Sequence, residues 1–181
     1  MRSVRFHGDV SVRSAGFGAV ATTDARVLVL GSLPGPVSLA MGQYYAQPYN
    51  SFWKIMGQLF GFKSDLPYCR RLAALKRRRV AVWDVCASAH RPGALDASIV
   101  TASATPNDFA TFFARYKGIG TVFFNGGKAA ALYRRLVMPT LPPKCQRLIY
   151  VLLPSTSPAH AVMPFAEKLS RWSKVRIASE T

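Results

Sequence analysis

The stretch Arg26-Val27-Leu28-Val29-Leu30, stopped by Gly31, limits the fold more than any other feature of the chain. A strand with one wet face alternates apolar and polar residues. Four apolar residues in a row instead fit a strand buried on both faces, as in a parallel sheet. Three more runs have this character: Val80-Ala81-Val82-Trp83 before Asp84, Gly120-Thr121-Val122-Phe123-Phe124 before Asn125-Gly126-Gly127, and Leu148-Ile149-Tyr150-Val151-Leu152-Leu153 before Pro154.

Helical spacing fills the gaps between these runs. Asn50 is expected to cap a helix carrying Phe52, Trp53, Ile55, Met56, Leu59 and Phe60, with Gly61 as its stop. Asp65 is expected to cap a second helix through Leu66, Cys69, Leu72 and Leu75. Thr105-Pro106-Asn107-Asp108 reads as the start of a helix bearing Phe109, Phe112 and Phe113. Further helices are expected through Leu132 and Leu136 and over 164–176, with Phe165, Leu169 and Trp172. Residues 31–49 and 86–104 read as long loops. Strands alternating with helices predict an α/β sandwich around a mostly parallel sheet. At 181 residues one domain is expected, with 1–24 as an irregular arm or short edge strand.

Lys and Arg number 24 against 8 Asp and Glu, a formal charge of +16. Such a field attracts polyanions, nucleic acid first among them. No apolar run approaches the roughly 20 residues of a membrane-spanning helix. The three scattered cysteines, Cys69, Cys86 and Cys145, form neither a disulfide framework nor a zinc cluster, so no metal is expected. A cytoplasmic location fits the free thiols. The first twenty residues lack the continuous apolar stretch of a secretory signal.

Every long polar loop follows the carboxyl end of a strand, where open parallel sheets bind ligands. Gly31-Ser32-Leu33-Pro34-Gly35 allows close backbone approach to a phosphate or base, but lacks the lysine of a phosphate-binding NTPase loop. Tyr45, Phe52 and Trp53 offer aromatic rings; Trp53, at mid-helix, is assigned to the core and Phe52 to base stacking or core. Asp84 directly follows its strand and can accept a hydrogen from a ligand or cap a turn. Asp96 is assigned to a local pair with Arg91. Ser155, Thr156 and Ser157 can donate to phosphate oxygens, with His160 beyond them as a phosphate contact or structural group. Lys76-Arg77-Arg78-Arg79 reads as a solvated helix end.

Taken in order, Leu30 to Gly35, Gln43-Tyr44-Tyr45, Pro48 to Trp53, Val82-Trp83-Asp84-Val85, Pro106 to Phe109, Phe124-Asn125-Gly126 and Leu153 to Ala159 resemble the uracil-DNA glycosylase superfamily, and within it the hypoxanthine-DNA (deoxyinosine) glycosylase branch. The resemblance implies a three-layer α/β/α sandwich on a four-stranded sheet. It also implies a monofunctional, monomeric base-excision glycosylase without metal or cofactor, acting on DNA that contains a deaminated base. Asn50 maps to the catalytic asparagine, Phe52 to the base-stacking aromatic and Asp84 to a base-reading position. Leu33, Tyr45 and Asn125 are expected to join the base pocket. Gly31, Ser32, Pro34, Gly35, Ser155, Thr156, Ser157 and His160 are expected along the DNA backbone. The chain departs from other branches at Leu33 and Leu153, which replace a polar catalytic residue and a catalytic histidine. It also has Gln47-Pro48-Tyr49-Asn50 where His-Pro-Arg-Asn is usual. A uracil- or mismatch-directed glycosylase and a non-catalytic nucleic-acid-binding protein are the competing readings.

Overall fold

The computed structural model describes residues 13–181, the side chains of residues 144 and 146 excepted. The first twelve residues of the expected arm lie outside the described residues. The four apolar runs become β2 (Val27–Gly31), β3 (Val80–Asp84), β6 (Thr121–Asn125) and β7 (Ile149–Leu153). They form one parallel sheet in the order β3-β2-β6-β7. Val27 to Leu30 of the inner strand β2 are fully buried, which is why that run carries no alternation.

One helical layer holds α2 (Phe52–Phe60), α3 (Tyr68–Arg77) and α6 (Phe165–Glu180), with α6 against both α2 and β2. The other holds α4 (Phe109–Arg115) and α5 (Gly127–Leu136), joined where the Phe109 and Tyr133 rings meet at 5.1 Å. This is the expected three-layer α/β/α arrangement. Trp172 of α6 is fully buried, and its Nε1–H donates to the Pro154 carbonyl at 2.9 Å, tying the last helix to the loop after β7. Gly61 ends α2 in the left-handed conformation at φ 73°, as its position in the sequence implied.

Four local expectations differ from the structure. The segment 31–49 contains a short helix, α1 (Pro36–Met41). Residues 86–104 are not all loop: β4 (Cys86–His90) pairs antiparallel with β1 (Arg13–Ala15) and β5 (Thr105–Pro106) in a second, three-stranded sheet. Thr105 and Pro106 are thus a strand rather than a helix start, and Asp108 is the cap of α4, its Oδ1 accepting from the Thr111 N–H at 3.0 Å. Asp65 caps nothing, because the turn over 63–67 continues to Pro67, whose extended backbone delays α3 until Tyr68. The 1–24 arm supplies the short edge strand β1 and one further pairing, the mutual backbone bonds of Val20 and Val82 at 2.9 Å. Among the described residues no helix is long and apolar enough to cross a membrane.

Candidate active site

The chain leaves β2 toward β3 on one side and later passes to β6 on the other. The strand order therefore reverses between β2 and β6, and a crevice opens at their carboxyl ends. Gly31 ends β2, Asp84 ends β3 and Asn125 ends β6, and all three line a cavity of about 500 Å³. Leu153 ends β7, and the loop that follows adds Ser155, Thr156 and Ser157 to the same wall.

The first loop is held rigid from behind. Carbonyls 31 and 32 accept from the Val85 and Cys86 N–H groups at 2.9 and 3.0 Å. Buried Arg91 donates to the carbonyls of Leu33 at 3.5 Å and Pro34 at 2.7 Å, and the Gly35 carbonyl accepts from Leu39 of α1 at 2.9 Å. All five carbonyls from Gly31 to Gly35 thus point into hydrogen bonds. Leu33 and Ser32 are buried cavity-lining residues, with Pro34 and Gly35 beside them.

Asn50 lines the cavity at the start of α2. Its Oδ1 accepts from the Phe52 N–H at 3.0 Å, an Asx turn that serves the capping role expected of it, although the formal cap position falls on Ser51. One lone pair of that oxygen is used, and the second can hold a water. The neighbouring Ser51 N–H donates to the Thr156 carbonyl at 3.0 Å, joining the Asn50 turn to the loop after β7. Thr156 also grips Asn125: the Asn125 amide donates to Thr156 Oγ1 and accepts from the Thr156 N–H, each at 2.8 Å. Gly126, at φ 97°, lets this turn pass, since a Cβ there would meet the Ser155 Cβ at 2.9 Å.

Phe52 does not reach the cavity wall. It is fully buried, and the Tyr45 ring lies on it at 3.9 Å and 24°. Tyr45 is the aromatic that borders the cavity, held at φ 56°, a conformation non-glycine residues adopt at about 1–3 kcal/mol. The loop around it is pinned by the Tyr44 N–H to the Tyr68 hydroxyl at 2.9 Å, the Trp53 Nε1–H to the Tyr44 carbonyl at 2.9 Å and the Ala46 N–H to Ser38 Oγ at 3.1 Å. Trp53 belongs to the core, as expected.

Three residues that line the cavity each bury a polar atom: Ser32 Oγ and Tyr45 OH, whose side chains interact with Asp96 and Asn125, and Asp84 Oδ2, which has no hydrogen-bond partner. A buried carboxylate oxygen with no hydrogen bond is costly when charged. Asp84 is pushed up to about 8, first by burial and then by the negative charge of Asp96, with Arg91 opposing. Burial also raises Asp96 and the Tyr45 phenol. Asp96 does pair with Arg91, at 4.0 Å, but it also borders the cavity, a role the pairing gave no reason to expect.

His160 stands apart from this group. It is exposed and borders a smaller adjoining cavity of about 200 Å³ with Lys128, Ser155, Ser157 and Asp96. Among the described residues no cluster of three His, Cys, Asp or Glu side chains is placed to hold a metal ion.

The sequence pattern of the Uracil DNA glycosylase superfamily matches residues 17–177. The chain belongs to that superfamily. It is 35% identical over 119 residues to a hypoxanthine DNA glycosylase of Methanosarcina barkeri, covering 65% of this chain and 74% of the relative. A hypoxanthine DNA glycosylase of Methanosarcina acetivorans is 36% identical over 115 residues, covering 63% and 72%. The solution NMR structure of a proposed uracil DNA glycosylase from Methanosarcina acetivorans superposes with a TM-score of 0.78 at 30% identity, covering 94% of this chain and 100% of that one.

Within this uracil-DNA glycosylase fold, sequence reasoning missed Arg91 as the brace of the first loop. The only signal was a basic residue just past a stretch of small residues, Cys86-Ala87-Ser88-Ala89, that hides a strand. Leu153 is buried at the end of β7, where it offers the cavity no polar group.

Proposed function

We propose that this protein excises hypoxanthine from DNA by hydrolysing the N-glycosidic bond of deoxyinosine. The observation that carries the reading is a cavity of about 500 Å³ in which Asn50 stands with Ser32, Tyr45 and Asp84, the buried Asp84 Oδ2 without a partner. Hypoxanthine presents an N1–H donor together with O6, N3 and N7 acceptors, which suits a floor of mixed hydroxyl and carboxyl groups. The names of the two Methanosarcina relatives support the same base.

The duplex is drawn in by the +16 charge. Everting the base takes a few kcal/mol, less when it is mispaired, so damage partly selects itself. The base enters beside the Tyr45 ring, and Tyr45 stacks on it with Phe52 behind as a rigid backing. Asn125, locked by Thr156, presents its remaining amide capacity to the base edge. Ser155 and Ser157, with His160 and Lys128 alongside, meet the flanking phosphates. As the C1′–N9 bond lengthens, the sugar gains oxocarbenium character. Asn50 holds the attacking water through its free Oδ1 lone pair and acts by position and dipole, since an amide is no base at neutral pH.

The test is single-turnover cleavage of an inosine-containing duplex, read as alkali-induced strand scission, for the wild type and Asn50→Ala. The wild type is expected to release hypoxanthine and the variant to be slower by about 10²-fold or more. Equal rates remove Asn50 from the chemistry. A panel with uracil and xanthine in place of hypoxanthine decides the base, and salt-sensitive binding with no abasic product from any substrate refutes the enzyme reading.

A further inference from the structure

Hypoxanthine expelled as an anion is a poor leaving group; protonated on a ring nitrogen, it departs neutral. The groups bordering the cavity offer few sources for that proton. Asn50 and Asn125 are amides, Ser32 is an alcohol, and burial drives the Tyr45 phenol still further from acidity. Asp96 is a half-exposed carboxylate facing Arg91. Asp84 is different. It is nine-tenths buried or more, and its Oδ2 has no partner.

The backbone fixes that carboxyl in place. The Val85 N–H donates to the Gly31 carbonyl at 2.9 Å, and Asn107 Nδ2 donates to the Asp84 carbonyl at 2.8 Å. The side chain then lies over Gly31, where a Cβ would fall on its Oδ1. The nearest guanidinium is turned elsewhere: Arg91 directs its two Nη groups to the Leu33 and Pro34 carbonyls. A buried carboxylate with no cation bonded to it and an empty acceptor position is costly, whereas the neutral acid has a hydrogen to give.

We propose that Asp84 is the general acid of the reaction, handing its carboxyl hydrogen to a ring nitrogen of the everted base. The assignment rests on the glycosylase reading above. As the C1′–N9 bond breaks, its electron pair moves into the purine and the proton from Asp84 neutralises it, so hypoxanthine leaves uncharged. Water held by Asn50 forms the new C1′–O bond. Its surplus proton returns to the Asp84 carboxylate, restoring the acid, and the net change is hydrolysis alone. Burial pushes the pKa of Asp84 up to about 8, which keeps the proton on the carboxyl at neutral pH. After burial, the groups that set it are Asp96 and Arg91 from the segment after β4; Asp84 in turn raises Cys86 of β4 and Tyr44, Tyr45 and Tyr68 on the aromatic side, and Lys128 faces Asp96 and Cys86.

Asp84→Asn separates proton transfer from base reading, because an amide matches the neutral carboxyl in shape and in having one donor and one acceptor edge. The expected result at pH 6.5 is a single-turnover rate about 10²–10⁴-fold below wild type, with duplex binding changed less than about threefold. The wild-type rate is expected to fall about tenfold per pH unit above the acid's titration, and the variant's rate to stay flat. On 7-deaza- and 3-deaza-deoxyinosine, the wild-type advantage over Asp84→Asn is expected to vanish for the analogue that lacks the accepting nitrogen. A variant with the wild-type rate and pH slope overturns the assignment while leaving the enzyme reading intact. So does undiminished wild-type cleavage of both analogues, a measurement that needs no variant to fold. A wild type that releases no hypoxanthine overturns both.

Discussion

Thr156 is the joint on which the site turns, and removing its hydroxyl tests that directly. It is 1% exposed and bonds Asn125 twice, through Oγ1 and through its own N–H, each at 2.8 Å. Its carbonyl separately receives the Ser51 N–H at 3.0 Å. Thr156→Val keeps the backbone bonds and nearly the same shape, so no cavity opens. What changes is one buried N–H of Asn125, left without an acceptor. Such an orphan costs about 1–3 kcal/mol, which for a chain of this size lowers Tm by about 2–12 °C. Urea unfolding at unchanged m-value measures it. In a cycle with Asn125→Ala the double variant is expected to lose less than the sum of the singles, with a coupling of about 0.5–3 kcal/mol. The single-turnover rate on inosine duplex is expected to drop as well, since Asn125 is freed to rotate. A Thr156→Val protein within about 0.5 kcal/mol of wild type, or strict additivity with Asn125→Ala, refutes the idea that this pair holds the pocket wall.

Other perturbations separate structural from chemical roles. Phe52→Ala removes a fully buried ring and is expected to cost about 3–5 kcal/mol in urea unfolding; a stable variant that loses only activity would put Phe52 back in contact with the base. Asp84 titrates near 8 when folded and at its ordinary value of 3.8 when unfolded. Between those values the native state keeps a proton the unfolded chain has lost, so stability falls as pH rises from about 4 to about 8, by at most about 1.4 kcal/mol per pH unit. Urea midpoints across pH 5–9 are expected to show this slope in the wild type and its loss in Asp84→Asn; parallel curves contradict it. Binding to undamaged duplex is expected to weaken linearly in log–log salt plots, by about 0.9 per phosphate neutralised, and a flat line contradicts a role for the +16 charge.

The sheet was legible in the sequence because β2 and β3 are buried on both faces, and β6 nearly so, and write unbroken apolar runs; β7, at the edge, is apolar as well although Ile149 and Leu152 are exposed. The second sheet was not, because β4 is built of small residues, Ala87, Ser88 and Ala89, and finds its partner more than seventy positions earlier in β1. Asp84, Asn125 and Ser155 to Ser157 line the cavity, in the region where one rule, that loops at the carboxyl ends of parallel strands bind ligands, directs attention. Tyr45 over Phe52 lay beyond that rule, since the stacking depends on a left-handed backbone at a tyrosine, which no local pattern announces. Asp96 was hidden by its own adequacy as a partner for Arg91.

The corner at Val85 links regions that look unrelated. One residue separates the acid-bearing end of β3 from Cys86, where the second sheet begins, and the far end of β4 leads straight into Arg91. The pocket therefore hangs from a small outrigger whose other rail is β1, held by Arg13 to Ser88 and Thr105 at 3.0 and 2.6 Å. Trimming the chain past Ala15 would spare every residue that lines the cavity, yet slacken both the Asp84 carboxyl and the Arg91 guanidinium beside it.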